Sequence, residues 1–475
     1  MSNIFWVVLY FALTACIGIW MMRKKSSVAD FFVAKKGLSW LLIIPLLFAE
    51  MIAGAGTVGN AGDAFKYGIS SVWMNWGMSL GVIFVLVTVT IFYRVMGNKK
   101  NVISVPEAFK HRFDQKTRMV MMAILVLVYI MLFAMQPIAA ASILAPMLGI
   151  AKMKLVWIMG ILFILLTVTG GMKGLAWMNV LHSTVMYLGL GIVAYVSVKA
   201  AGGIGHMQAV LPPSFFEFTK PSLGIVIGTA LGTCLSYACA STVVSTIFGG
   251  ATMKDVKKGF WGASILVLIF ALFPALIGIA AKVVMPKAAA ASVLYTMANY
   301  SGNLYGVLAA MGVLAAILST APALLLITAT MLTRDFFKSI KPDATEKQER
   351  SFANYSMIAL GLIATYMGMN ATSILAGLVG AFNIRAIAGL VLAVSLVWPR
   401  VDSRAAFWSM LLGGLTAGIW HFSGNPYSVS SLWPSLIVGV PLLVGLTLMA
   451  KNPESDGYLV YKQALEESNA EGGVA

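Results

Sequence analysis

The sequence predicts an all-α, polytopic membrane protein with about 13 transmembrane helices. Its 475 residues are 60% hydrophobic and only 11% charged, which excludes the composition of an ordinary soluble globular domain. Apolar runs long enough to cross a bilayer recur along the whole chain. Their approximate bounds are residues 3–22, 40–61, 70–93, 119–148, 155–170, 175–198, 223–248, 260–284, 304–331, 352–370, 372–396, 405–423 and 431–450.

The basic residues lie in the short loops between these runs and do not form one patch with interleaved aromatic side chains. The formal charge of +16 therefore reflects membrane topology, and we expect no nucleic-acid partner. Alternate assignment of the loops places about 25 lysines and arginines on one side and about 7 on the other. The positive-inside rule then predicts a multi-pass protein of the plasma membrane with an external N-terminus and a cytoplasmic C-terminus.

The first apolar run is followed by three basic residues at positions 23–25, which is the reverse of the order in a cleaved signal peptide. We therefore expect a retained helix. Cys16, Cys234 and Cys239 all lie inside apolar runs, so they are expected to be free buried thiols and not a disulfide framework.

Ten of the predicted spans form two units of opposite orientation. The five spans between residues 40 and 200 begin inside, whereas the five between residues 223 and 398 begin outside, which predicts a 5+5 inverted-repeat core. Residues 1–39 are then an extra helix and a cytoplasmic loop, 201–222 an external loop, 399–450 two peripheral helices, and 451–475 a loosely ordered cytoplasmic tail.

The first core helix is predicted to be discontinuous. Four glycines lie between residues 54 and 62, and each glycine inside a helix costs about 1 kcal/mol relative to alanine. Glu50 lies near the middle of the same span. Because an interrupted backbone and a buried acid at membrane depth both indicate a binding site, this span is a candidate ligand site. The alternative is that the glycines form a close-packing face for a neighbouring helix.

The first helix of the second unit, which is the sixth core helix, shows a similar interruption at the matching position. Transporters with inverted repeats bind their ligands at mid-membrane on such paired discontinuous helices. Small and hydroxylated residues interrupt its apolar run at Gly228, Gly232, Thr233, Ser236, Ser241 and Thr242.

The run from residue 315 to 335 places the adjacent hydroxyls of Ser319 and Thr320 in an apolar helix, with Pro322 just after them. Hydroxyl oxygens and freed helix carbonyls are able to replace the hydration shell of a sodium ion. The alternative is that both side chains hydrogen-bond to the backbone of their own helix, as is common in membrane helices.

Five stretches, in this order and spacing, resemble the sodium:solute symporter family over about residues 30–399. They are ADFFVAKKGLSW, TVGNAGDAFKYG, SVPEAFKHRF, TGGMKGLAWMNVLHS, and AAILST followed by TRD. The resemblance implies the inverted-repeat fold of the bacterial leucine transporter and the activity of a secondary active transporter, not an enzyme.

The resemblance also implies where the ligands bind. The shared sodium site of the family uses carbonyls of the first core helix, and a carbonyl with two hydroxyls of the eighth. These ligands fall on Ala49, Ile52, Ala316, Ser319 and Thr320. The positions matching substrate contacts in the family include Met51, Gly56, Asn75, Thr233 and Ser236.

Two positions depart from the family pattern. Many relatives have an aspartate in the fifth core helix that is linked to a second sodium or to coupling, but this chain has Asn179. A neutral amide binds a cation more weakly, so one sodium per cycle is expected. Relatives also tend to have an arginine at the cytoplasmic end of the sixth core helix, where this chain has Thr246.

Several polar and charged residues in the spans have no match in the family sodium motif. Glu50 and Arg385 both lie near mid-membrane, where a charge costs about 2.5–3.5 kcal/mol. They pair with each other in one state, or Arg385 binds the carboxylate of an anionic substrate; a permanent structural ion pair and snorkelling of Arg385 are the alternatives.

His182, one turn after Asn179, is a candidate proton carrier or a packed polar residue. Tyr129, Tyr237 and Gln136 either line the pathway or have structural roles.

These observations predict a sodium-coupled symporter that imports a small organic solute by alternating access, with Na⁺ as its coupling ion and the lipid bilayer as its environment. No obligate protein partner is predicted. One alternative keeps the fold but couples to protons or to no ion, with Glu50 or His182 titrating. Another is a membrane sensor that works with a separate signalling partner. No HExxH motif favours an enzyme.

Overall fold

The structure is a computed structural model that describes residues 5–6, 9–12, 14, 37–169, 172–370 and 373–470, with only the backbone described at 169 and 172–177. The described residues are helical and contain no strand, apart from one isolated bridge between Leu38 and Gly250. The all-α prediction is therefore confirmed. The predicted thiol at Cys16 lies outside the described residues; Cys234 and Cys239 are free, and Cys239 is buried.

The helices of the first part are α1 (Trp40–Gly54), α2 (Asn60–Tyr67), α3 (Trp73–Thr88), α4 (Thr90–Lys99), α5 (Val105–Arg112), α6 (Gln115–Leu148), α7 (Lys152–Thr169), α8 (Met172–Ala200) and α9 (Gly203–Val210). Those of the second part are α10 (Leu223–Ser236), α11 (Ser241–Gly249), α12 (Met253–Phe270), α13 (Leu272–Val284), α14 (Val293–Tyr300), α15 (Asn303–Met331), α16 (Lys338–Ile340), α17 (Glu346–Met369), α18 (Ile374–Val397), α19 (Ser403–Phe422), α20 (Leu432–Leu448) and α21 (Asp456–Ala470).

In the part of the chain that the structure describes, seven helical stretches are long and apolar enough to cross a membrane. They are Trp40–Thr88, Gln115–Leu148, Met178–Ala200, Met253–Val284, Asn303–Ile340, Glu346–Met369 and Ile374–Val397. The bent pair Leu223–Cys239 and Ser241–Gly249 forms an eighth candidate. The stretch from Trp40 to Thr88 is 49 residues long and includes two predicted spans. The count of helical stretches therefore does not give the number of membrane crossings. The predicted total of about 13 therefore stays a prediction.

Helix α15 lies at the centre of the bundle. In its most apolar segment 89% of the residues are buried, against 28% for α17, so α15 is enclosed by protein and α17 lies at the periphery. Helices α1, α6 and α8 all pack against α15. The side chains of Ser319 and Thr320 therefore have neighbours from several core helices.

Side-chain caps explain where several helices begin. Asp114 accepts a hydrogen bond from the Thr117 N–H at the start of α6, and Thr345 and Gln348 form a capping box at the start of α17. Ser104 likewise accepts from the Glu107 N–H and starts α5, a short helix within the segment that the sequence predicted to be a loop between residues 94 and 118. These local signals set helix boundaries without help from tertiary packing.

The start of α1 is joined to the end of α11. The Leu38 N–H donates to the Gly249 carbonyl at 3.0 Å, and the Ala251 N–H donates to the Leu38 carbonyl at 3.0 Å. Arg94, from α4, donates to the carbonyls of Ile247 at 2.9 Å and Gly250 at 2.8 Å. An arginine from a neighbouring helix thus caps the end of α11, close to Thr246.

The sequence predicted a loosely ordered tail at residues 451–475, but the structure shows helix α21 at Asp456–Ala470, which packs against α4 and α5. Buried Arg112 donates to the Ser455 hydroxyl at 3.0 Å, and its guanidinium lies 5.6 Å from the ring of Tyr458. Tyr461 contacts Phe92 with ring centroids 5.3 Å apart. These long-range contacts stabilise a helix that its own polar composition does not indicate.

A buried ion pair between Arg118 and Asp335 ties the start of α6 to the π-helical turn Leu332–Phe337 that follows α15, with side chains only 11% and 1% exposed. Removal of one partner leaves a buried charge unpaired, so Asp335→Ala is expected to lower the free energy of unfolding by about 3 kcal/mol. The midpoint of thermal unfolding of the purified protein in detergent measures this.

The matched control is Glu454→Ala, which breaks an ion pair with Lys462 whose side chains are 36% and 48% exposed. Exposed pairs contribute at most about 1 kcal/mol, so its midpoint should stay close to that of the unmodified protein. Equal midpoints for the two variants would contradict a stabilising role for the buried pair.

Candidate ion and solute site

The first core helix is broken at its centre. Ala53 has φ 44° and ψ −175°, which is not helical and is uncommon for a residue with a Cβ atom, and a π-helical turn follows at Ala55–Gly59. Side chains of other helices or of the same turn satisfy the freed backbone. The Gly54 N–H donates to Gln136 Oε1 at 3.1 Å, Thr57 donates to the Gly54 carbonyl at 3.0 Å, and Asn75 Nδ2 donates to the Gly56 carbonyl at 3.0 Å.

The glycines of this helix also form close contacts, as the alternative interpretation predicted. A Cβ atom on Gly54 would lie 2.5 Å from Ala139 Cβ, and one on Gly62 would lie 2.8 Å from the Ala290 carbonyl oxygen. The break and the close packing therefore occur together. The residue with the unusual backbone is Ala53, and the glycines that follow it permit other segments to approach.

Four oxygen atoms converge next to this break. Ser319 Oγ lies 2.9 Å from the Ala49 carbonyl oxygen and 2.8 Å from the Ala316 carbonyl oxygen. Thr320 Oγ1 lies 3.4 Å and 3.0 Å from the same two carbonyl oxygens, and 3.3 Å from Ser319 Oγ. The hydroxyls thus contact both their own helix and α1. All four residues are buried, and their oxygens are neutral ligands of the kind that a monovalent cation accepts.

Ile52 is fully buried beside the break, and its carbonyl accepts a hydrogen bond from the Ala55 N–H. A carbonyl oxygen has two lone pairs, so this bond leaves one available. Its role as a fifth sodium ligand stays a prediction.

The sixth core helix is also broken. Helix α10 ends at Ser236, a 3₁₀ turn covers Tyr237–Cys239, Ala240 is extended, and α11 begins at Ser241 at an angle of 46°. The hydroxyl of Tyr129, from α6, accepts a hydrogen bond from the Ser241 N–H at 2.8 Å. A side chain of another helix therefore satisfies a backbone group that the break leaves free.

Glu50 and Arg385, the two charges that the sequence predicts at mid-membrane, lie at this second break, but no ion pair joins them within the described residues. Thr242 donates a short hydrogen bond to Glu50, and Arg385 Nε donates to Ser236 Oγ at 2.7 Å. The guanidinium of Arg385 lies 5.8 Å from the ring centroid of Tyr129 and 5.6 Å from that of Phe382. A permanent structural ion pair and snorkelling of Arg385 are both excluded for this conformation, since Arg385 is buried and unpaired.

The other predicted substrate residues are buried near the two breaks. Met51 is next to Glu50 in α1, and Gly56 contacts Asn75 as described above. Asn75 Oδ1 and Thr233 Oγ1 are buried and have no hydrogen-bond partner among the described residues. Buried polar atoms are normally paired, so these two atoms are available to a ligand.

Asn179 and His182 are buried away from the second break. The Tyr10 hydroxyl lies 2.6 Å from His182 Nδ1, so His182 faces the N-terminal segment. The neighbouring Ser183 donates to the Pro45 carbonyl at 2.9 Å and joins α8 to α1. No hydrogen bond joins His182 to Ser319 or Glu50 in the described chain, and its role in coupling stays a prediction.

Three further side chains hydrogen-bond at the breaks: Gln136 and Tyr129, for which the sequence left pathway-lining and structural roles open, and Thr242, which it named among the residues that interrupt the sixth core helix. Each is a polar group in an otherwise apolar run, which is the one local signal that indicated them. That signal does not specify a partner, because each partner is more than 80 positions away along the chain.

Residues 31–413 match the profile of the "Sodium:solute symporter family". The chain belongs to this family. It is 21% identical over 474 residues to the osmoregulated proline transporter OpuE of Bacillus subtilis, with 95% of this chain and 96% of that protein covered. It is 24% identical over 465 residues to the sodium/glucose cotransporter of Vibrio parahaemolyticus, with 84% and 81% covered.

Solved structures of transporters share the fold. A Na⁺-coupled sialic acid symporter in a substrate-bound outward-open state superposes with a TM-score of 0.77 at 17% identity, covering 95% of this chain and 97% of that one. A nucleobase-cation-symport-1 family transporter superposes with a TM-score of 0.62 at 14% identity, covering 92% and 98%. This member of the sodium:solute symporter family is thus a multi-pass secondary transporter and not an enzyme.

Proposed function

We propose that this family member is a sodium-coupled symporter that imports a small organic solute by alternating access. The observation that carries the proposal is the convergence of Ser319 Oγ and Thr320 Oγ1 on the Ala49 carbonyl at the break of α1. One Na⁺ would be held there by Ala49, Ile52, Ala316, Ser319 and Thr320. Its relatives with sodium in their names, which transport proline or glucose, support sodium as the coupling ion.

The ion would couple to the solute through α1. Sodium binding ties α1 to α15 and fixes the geometry of the break, and residues on the same broken segment, Met51 and Gly56 with Asn75, would contact the solute. A ligand that favours one conformation of the break raises the affinity of the other ligand by the same factor. Asn179, being neutral, supports one sodium per cycle.

The proposal includes the topology that the basic residues predict. The protein would lie in the plasma membrane with an external N-terminus and a cytoplasmic C-terminus, and its core would be a 5+5 inverted repeat at residues 40–200 and 223–398. The breaks in α1 and between α10 and α11, which lie at matching positions in these two units, support this arrangement.

The experiment that tests the proposal measures whether sodium stabilises the purified protein. A ligand that binds only the folded state stabilises it by about 2.7 kcal/mol at 100 times its Kd, so NaCl should raise the midpoint of thermal unfolding in a saturable way. Choline chloride at equal concentration should not. Equal midpoints in both salts would contradict a sodium site, and a midpoint that depends on pH but not on sodium would favour proton coupling.

A further inference from the structure

Two residues of opposite charge, the buried Arg385 and the half-buried Glu50, lie on either side of the break in the sixth core helix. Arg385 contacts Ser236, the last residue of α10, and Glu50 contacts Thr242, in the first turn of α11. A helix C-terminus carries a partial negative charge and an N-terminus a partial positive charge. Each group therefore lies at the helix end of opposite sign, which explains why the two remain apart without pairing with each other.

Both groups have hydrogen-bonding capacity that the protein does not use. A guanidinium has five N–H donors, and in Arg385 only Nε has an acceptor among the described residues. The rings of Tyr129 and Phe382 flank the guanidinium, and its two terminal nitrogens have no acceptor among the described residues, which leaves them for a ligand. These nitrogens form a planar fork that matches the two oxygens of a carboxylate.

The carboxylate of Glu50 is similarly incomplete. Only one of its oxygens accepts a hydrogen bond, from Thr242, and the side chain is only half-buried. Thr233 and Asn75 add two buried oxygens without partners, and Thr233 lies one turn before Ser236 on α10. The two breaks therefore offer a planar pair of donors at Arg385 and unpaired oxygens at Glu50, Thr233 and Asn75.

We infer that the transported solute is a small zwitterion such as an α-amino acid, whose carboxylate binds Arg385 and whose ammonium group binds Glu50. The inference rests on the proposed sodium symport, and it adds the class of solute. An anion would leave Glu50 unpaired, a cation would leave Arg385 unpaired, and a neutral sugar would leave both unpaired. Transfer of a zwitterion with one sodium moves one positive charge per cycle.

The experiment compares solutes that differ only in charge. Thermal unfolding of the purified protein is measured in NaCl and in choline chloride, with a panel of α-amino acids, their N-acetyl derivatives as anions, their amides as cations, and D-glucose. At least one amino acid is expected to raise the midpoint in NaCl, whereas its own N-acetyl derivative and amide do not. Stabilisation by the anions, the amides or glucose instead, or by no amino acid, would overturn the inference.

Variants of Arg385 and Glu50 test which charged group of the solute each residue binds. Arg385→Gln and Glu50→Gln should each weaken binding of the stabilising amino acid by about 10- to 100-fold, because each removes a hydrogen bond to a charged group. Arg385→Lys, which keeps the charge but loses the fork, should weaken it less than Arg385→Gln. The affinity for the N-acetyl derivative, divided by the affinity for the amino acid, should be higher in Glu50→Gln than in the unmodified protein. In Arg385→Gln this ratio should not rise.

The control variant is Ser245→Ala. Ser245 lies in the same half-helix as Thr242, but its hydroxyl only donates to the Thr242 carbonyl at 2.8 Å, so amino-acid affinity should not change. Circular dichroism and size-exclusion elution establish that each variant is folded. If the unmodified protein responds to sodium but to no amino acid, this inference alone fails. If it does not respond to sodium at all, the proposed function fails.

Discussion

Removal of both hydroxyls of the proposed cation site, in Ser319→Ala combined with Thr320→Ala, is expected to raise the sodium concentration for half-maximal stabilisation by about 100-fold or more. A polar contact to a charged group contributes about 1.5–3 kcal/mol, and two such contacts are lost. Both hydroxyls lie within 3.4 Å of the Ala49 carbonyl, so the variant also loses the contact between α15 and α1. A sodium titration of the unfolding midpoint measures the change.

Thr328→Val is the matched control for this variant. Thr328 is buried in the same helix, but its hydroxyl donates only to the Leu324 carbonyl of its own helix at 2.6 Å. Its loss should leave the sodium titration unchanged. If the double variant and the control respond to sodium with the same half-maximal concentration, the two hydroxyls are not sodium ligands.

The proposed ion and solute contacts are neighbours along α1, which gives their coupling a structural basis. The Ala49 carbonyl faces α15, whereas the next side chain, Glu50, faces α11. Gly56, just after the break, is held by Asn75 from α3. A shift of this short segment therefore changes both sites together, as reciprocal coupling of two ligands requires.

Features that depend on local sequence were predicted well. Apolar length identified the helical membrane protein, and the cluster of glycines with Glu50 identified α1 as an interrupted helix. Both effects act within one segment. The position of the break was not predicted, because Ala53 is the residue that departs from helical geometry, and its neighbours are stabilised by Gln136 and Asn75 from other helices.

Contacts between residues that lie far apart in the sequence could not be predicted from hydrophobic periodicity alone. The contact of Ser319 with Ala49 joins residues 270 positions apart, and the family resemblance, not the local pattern, indicated it. The mid-membrane depth of Glu50 and Arg385 stays a prediction from the helix rise, and counting along a helix does not determine which way a side chain points. Their separate partners, Thr242 and Ser236, therefore emerged only from the structure.

Gly54→Ala is expected to lower both stability and sodium affinity, although alanine is the better helix former. Gly54 has helical φ and ψ of −65° and −34°, so the backbone permits alanine. The added Cβ atom, however, would lie 2.5 Å from Ala139 Cβ and 3.1 Å from both Gln136 Oε1 and Ile317 Cγ1. A methyl group has no alternative rotamer, so α1 must move away from α6 and α15.

This overpacking should lower the free energy of unfolding by about 2–3 kcal/mol. Because the displacement separates the Ala49 carbonyl from Ser319, the half-maximal sodium concentration should rise by about tenfold or more, which corresponds to about 1.4 kcal/mol. Gly445→Ala is the control, since nothing lies within 4 Å of a Cβ atom there, and it should leave stability unchanged or raise it by up to about 1 kcal/mol. Thermal unfolding with and without sodium compares the two variants. An unchanged sodium titration in Gly54→Ala would mean that the close approach of α1 to α6 and α15 does not set the geometry of the ion site.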